Sequence, residues 1–115
     1  MKTLLAALIL LSSMTAMAAD KVVNCTKKSN VNHTLVMTYE IPTLKIKTVT
    51  ITNPNPETEE MESKTIRPLG QMPWQNFAFL VSLPMGRNMI VPFSVFTQSP
   101  SSEVILDSSI QYKCK

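Results

Sequence analysis

The chain has 115 residues, of which 17% are charged and 44% apolar, with a net charge of +3. That is enough for one small domain and too short for two. It is too apolar for disorder, and two isolated glycines exclude a glycine-rich phosphate loop. The charge is also too mild for a nucleic-acid binder, which usually carries a dense basic stripe. Lys27-Lys28 with Lys45 and Lys47 reads instead as solvated lysines on strand faces.

Met1-Lys2 makes a short positive start, Leu4 to Leu11 an apolar run, and Ala16-Met17-Ala18-Ala19 a small-residue close. This order predicts a secretory signal over residues 1–19, cleaved after Ala18 or Ala19, and a single β domain over residues 20–115. The apolar run is too short to span a bilayer and no later segment approaches its length, so no membrane span is expected. The compact signal looks bacterial and points to the periplasm or the extracellular medium. Cleavage removes Lys2 and no acid, which lowers the net charge to about +2. Asn24 directly before Cys25 is the wrong residue for a lipoprotein anchor.

Two cysteines in an exported chain, Cys25 near the mature start and Cys114 next to the last residue, predict one disulfide. Its loop would enclose nearly the whole domain, for which loop entropy sets a ceiling of about 4–5 kcal/mol. A metal site is disfavoured, because only His33 could help the two cysteines and metal sites need fuller ligand sets.

From His33 onward, period-two alternation dominates and no long helical period appears. Leu35, Met37, Tyr39 and Ile41 share one parity. In the next stretch Leu44 and Ile46 fall in one phase but Val49 and Ile51 in the other. A one-residue slip flips every side chain, so a bulge or bend is expected near Lys47-Thr48. Asn53-Pro54-Asn55-Pro56 marks a loop. Glu59 to Ile66 reads as a weak, solvent-facing strand. Arg67 to Trp74, with two prolines and Gly70, reads as a long connection.

Gln75 to Phe96 is the best-specified region. Leu83-Pro84-Met85-Gly86-Arg87 has proline at the first central position of a turn and glycine where a left-handed residue is needed. If Leu83 pairs with Arg87, then Val81 faces Met89, Phe79 faces Val91 and Phe77 faces Phe93, all six on one inward face. Pro92 then sits opposite Ala78, and its missing N–H requires the strand to be at an edge or interrupted there. After Gln98 to Ser102, the stretches Glu103 to Asp107 and Ser109 to Cys114 carry Val104, Leu106, Ile110, Tyr112 and Cys114 in one parity. The whole predicts an all-β fold: a small antiparallel β-sandwich, immunoglobulin-like in build, of seven to eight strands. A small β-barrel is the alternative.

No catalytic constellation is legible. The one histidine, His33, has no diagnostic nucleophile or orienting group at a recognisable spacing, so no enzyme activity, cofactor or metal is expected. Trp74, in a loop after Met72-Pro73, is a candidate binding residue, although a large aromatic in so small a domain also serves to cap the end of a sandwich. Met85 and Arg87 at the hairpin tip are the other candidates. They would offer an apolar and a positive side chain to a partner. The sequence thus points to a non-enzymatic binding module for a protein or surface ligand. The alternatives are an inhibitor that probes a secreted or foreign enzyme with residues 83–87, and a structural subunit that assembles through an edge strand.

Overall fold

The computed structural model describes residues 19–97 and 102–115. The expected export signal, apart from Ala19, lies outside these residues, as does most of the expected loop at 98–102. Nine strands form one antiparallel sheet: β1 (Ala19–Lys27), β2 (Asn30–Ile41), β3 (Lys45–Pro54), β4 (Met61–Ile66), β5 (Gly70–Trp74), β6 (Ala78–Ser82), β7 (Asn88–Pro92), β8 (Glu103–Leu106) and β9 (Ile110–Cys114). The all-β antiparallel expectation is met, with nine strands among the described residues where seven or eight were foreseen.

The extra strand corrects the reading of Arg67 to Trp74 as a plain connection. Gly70–Trp74 pairs with β6 in register from Gly70↔Ser82 to Trp74↔Ala78. Pro73 is compatible with this because β5 is an edge strand, where a missing N–H breaks no ladder on the open side. The expected bulge is present: Thr38 pairs with Thr48 and Tyr39 with Ile46, which leaves Lys47 as the extra residue.

The order of strands across the sheet is β4-β3-β2-β1-β9-β8-β7-β6-β5. Two meanders, β1–β4 and β5–β9, therefore meet where the first strand pairs with the last. Strands β4 and β5 are consecutive in the chain yet occupy opposite edges. Laid flat, those edges would stand about 38 Å apart at ~4.8 Å per strand. Only Arg67, Pro68 and Leu69 join them, a link that reaches at most about 14 Å. The sheet must curl on itself. Gln71 bridges the gap: its Nε2 donates to the Leu44 carbonyl (2.9 Å), and its Oε1 accepts from the Ile46 N–H (2.8 Å).

The curl encloses one core drawn from both meanders. Val23, Leu35, Met37 and Val49 meet Val81, Met89, Val91, Val104, Leu106 and Tyr112. Cys25 and Cys114 stand directly opposite one another across β1 and β9 and are joined by the expected disulfide, with Cα atoms 3.9 Å apart. On the outer side of the first meander, hydroxyl pairs tie neighbouring strands: Thr38 with Thr48, Thr50 with Thr65 (2.9 Å) and Thr52 with Ser63 (2.7 Å). Each such pair contributes about 0.2–1 kcal/mol.

The β6–β7 hairpin has the expected register. Phe79 faces Val91, Val81 faces Met89, Ala78 faces Pro92, and the Leu83 N–H donates to the Arg87 carbonyl. Pairing between β7 and β8 ends at Ile90, short of Pro92, so the strand is interrupted where the proline demands it. The inward face needs one correction. Phe77 and Phe93 are 51% and 36% exposed, because β6 begins after Phe77 and β7 ends before Phe93. Phe93 turns onto the Phe79 ring edge to face (4.9 Å) instead of entering the core.

Two methionines of this one hairpin supply a test. Met89 is fully buried, whereas Met85 is 97% exposed. Met89→Ala is expected to cost about 2–5 kcal/mol in chemical denaturation, and Met85→Ala to stay within about 0.5 kcal/mol of the parent.

Candidate functional site

The turn joining β6 to β7 places its residues by backbone chemistry. Gly86 adopts φ 74°, the left-handed conformation expected of it, and Met85 joins it at φ 65°. That conformation is costly for a residue with a Cβ. No packing around Met85 compensates, since its side chain stands in solvent.

Arg87 is not the free tip charge expected from the sequence. Its Nε and Nη2 both donate to Oδ2 of Asp107, at 3.0 and 2.9 Å. Asp107 lies in the β8–β9 turn, where it and Ser108 both have positive φ (52° and 67°), as a tight hairpin turn with the sheet's twist requires. The Asp107 N–H donates to the Asn88 carbonyl (2.8 Å). The guanidinium is therefore held in one position while remaining about one-third exposed.

Because the sheet curls, this turn comes to lie beside β4. Met85, Pro84 and Arg87 line a cleft of about 380 Å³ with Lys64, Thr65, Ile66 and Arg67. A second hollow of about 230 Å³ shares Lys64, Ile66 and Arg87 with it and extends over Ile51 to Glu62 and Asn55. The two adjoin through these shared residues, and their lining combines apolar Ile51, Ile66 and Met85 with the cations Lys64, Arg67 and Arg87 and one acid, Glu62. Among the described residues, Lys64 and Arg67 form no ion pair. Arg67 also borders a third hollow, of about 370 Å³, with Lys45 and Lys47.

Thus the fold unites two of the three candidate binding residues, Met85 and Arg87, and leaves the third apart. Trp74 ends the edge strand β5, half-buried, opposite Ala78 and packed edge to face on Phe77 (5.8 Å). It stands on the side of the sheet away from the core. Met72, Leu80, Ile90 and Ile105 face one another there in successive registers.

Lys64, Ile66 and Arg67 did not stand out in the sequence. Their only signal was the weak alternation of β4, which does not show what lies across from it. His33 sits half-buried on β2. Among the described residues, no three His, Cys, Asp or Glu side chains group as metal ligands would, and no helix is long and apolar enough to cross a membrane. Comparison of the chain with known proteins finds no matching family model, no matching curated protein and no matching solved structure.

Tyr112 is buried near the Arg87–Asp107 pair. Burial pushes its hydroxyl above the ordinary value of 10.0, Arg87 pulls it down, and Asp107 adds to the rise. The unfolded chain therefore releases this proton at lower pH than the folded one does. The resulting contribution to stability is fully present below about pH 10 and is lost as pH rises further. Urea unfolding from about pH 9 to about pH 11 should show stability falling more steeply in the parent than in Tyr112→Phe.

Proposed function

We propose that the protein is an exported, non-enzymatic binding module that grips an extended, acidic segment of a partner protein in the groove between β4 and the β6–β7 turn. One observation carries this reading: the two tip residues singled out by turn chemistry, Met85 and Arg87, line the same groove as Lys64, Ile66 and Arg67. Lys64 and Arg67, which form no ion pair among the described residues, attract acidic side chains and orient them, and Ile66 and Met85 accommodate alternate apolar side chains of an extended chain. Methionine suits the lip of such a groove because its flexible, polarisable side chain adapts to different partners. Arg87 is already fixed by Asp107, so little side-chain freedom is lost when it meets a carboxylate.

Export is supported by the charged, apolar and small-residue order of the first 19 residues together with the Cys25–Cys114 bond. The inhibitor reading uses the same exposed Met85 as a probe for an enzyme's cleft. It leaves Arg67 and Lys64 without a role, so the groove favours the clamp.

The test uses a fluorescein-labelled peptide of alternating glutamate and leucine and follows its anisotropy with the mature, disulfide-bonded protein. Binding is expected to weaken about tenfold with Arg67→Glu, severalfold with Met85→Ala, and steadily with added salt, while the melting temperatures hold. Absence of binding, or binding indifferent to Arg67→Glu, would overturn the proposal.

A further inference from the structure

The two edges of the sheet are treated differently. Edge β5 is blunted against further pairing, since Pro73 has no N–H to offer and the Gln71 side chain ties this edge to the backbone at Leu44 and Ile46. Among the described residues, edge β4 has no such protection. It carries no proline, its pairing with β3 runs without a bulge from Val49↔Ile66 to Pro54↔Met61, and residues Met61 to Thr65 are all exposed. Such an edge offers a row of free backbone donors and acceptors to another strand.

From this edge we infer that the protein pairs with a second copy of itself through β4, in one register. Two copies that meet edge to edge as antiparallel strands are related by a two-fold axis perpendicular to the sheet. That axis keeps core-facing residues opposite core-facing residues. A residue near the middle of β4 must therefore face its own counterpart across the axis. Glu62, Ser63 and Lys64 are the central choices.

Glu62 on the axis would oppose Glu62, and Lys64 on the axis would oppose Lys64. Both arrangements set like charges directly against each other, which is destabilising. With Ser63 on the axis, Glu62 of each copy faces Lys64 of the other, and Met61 faces Thr65. This register has two ion pairs and no like-charge contact. Charges on an edge strand normally discourage association. A glutamate and a lysine two residues apart do the reverse, because the strand is complementary to itself.

The parity is favourable too. Glu62 and Lys64 stand opposite Asn53 and Ile51, and Lys64 shares the side of buried Ile51, so the ion pairs form on the concave side. Ser63 stands on the other side, bonded to Thr52 (2.7 Å). Pairing at Ser63 thus continues the row of hydroxyls from one copy into the next. Glu62 also accepts from Nδ2 of Asn55 (3.0 Å), which steadies its carboxylate. A six-residue strand buries little surface, so the dimer should be weak and concentration-dependent.

Sedimentation velocity of the mature, disulfide-bonded protein from micromolar to near-millimolar concentration tests the inference. A reversible dimer is expected. Glu62→Lys and Lys64→Glu should each weaken it about tenfold, and the double variant carrying both changes should restore it. Ser63→Cys should form an interchain disulfide on mild oxidation, since the two positions face each other only in this register. All three positions are exposed, so circular dichroism of each variant should match the parent. A protein that stays monomeric throughout overturns the inference. So does a dimer indifferent to both single changes, or one that the double variant fails to restore. Loss of acidic-peptide binding in Arg67→Glu leaves this result unmoved, because Arg67 lies outside β4.

Discussion

The pairing of the first strand with the last holds the molecule together. Without it β1–β4 and β5–β9 would be two separate meanders, each with one apolar side and nothing to set against it. The ladder between β1 and β9 is short, only Cys25↔Cys114, Thr26↔Lys113 and Lys27↔Tyr112. It is extended at its ends by Lys28 N–H to the Gln111 carbonyl and Lys115 N–H to the Asn24 carbonyl. So narrow a seam has few hydrogen bonds of its own to resist opening, and the disulfide within it adds a covalent restraint. The bond spans a sequence separation of 89 residues, which places its loop-entropy effect near the upper end for a small domain.

The second constraint is the three-residue link on the far side of the sheet. The seam joins the meanders at the middle of the strand order, and Arg67–Pro68–Leu69 draws the outer edges together. Between them the two restraints leave the sheet no flat arrangement. The groove is a consequence of that curl. The β6–β7 turn and β4 belong to different meanders and share no ladder, yet they face each other because the link is short. Asp107 then fixes Arg87 from a third direction. The site is built from the β6–β7 turn, the β8–β9 turn and edge strand β4, which the curl of the sheet brings together.

This explains which features were legible in the sequence. The Lys47 bulge appears as a change of phase between Ile46 and Val49. The hairpin register follows from Pro84 and Gly86, and the interruption at Pro92 from the missing N–H. Each is a local effect, written within ten residues. Strand β5 was not legible, because Met72-Pro73-Trp74 has no alternation and the sheet edge tolerates its proline. Phe77 and Phe93 share the parity of the core residues, but parity does not reveal that the strands stop one residue short of them. The clamp of Arg87 by Asp107 and the meeting of Met85 with Arg67 depend on contacts some twenty residues apart, which no local pattern encodes. Met85 and Arg87 were found through turn chemistry, whereas Lys64, Ile66 and Arg67 required the fold.

The most direct measurement of the closed-seam account is native-state hydrogen exchange on the mature protein, with the Cys25–Cys114 bond intact and then reduced. With the bond intact, the most protected amides of β2 and β3 and those of β6 and β7 should open with one shared free energy, as a single cooperative unit. On reduction both sets should fall together, by up to about 4–5 kcal/mol. If one meander keeps its protection after reduction while the other loses it, the halves are independently stable. The seam would then not be what holds the sheet together.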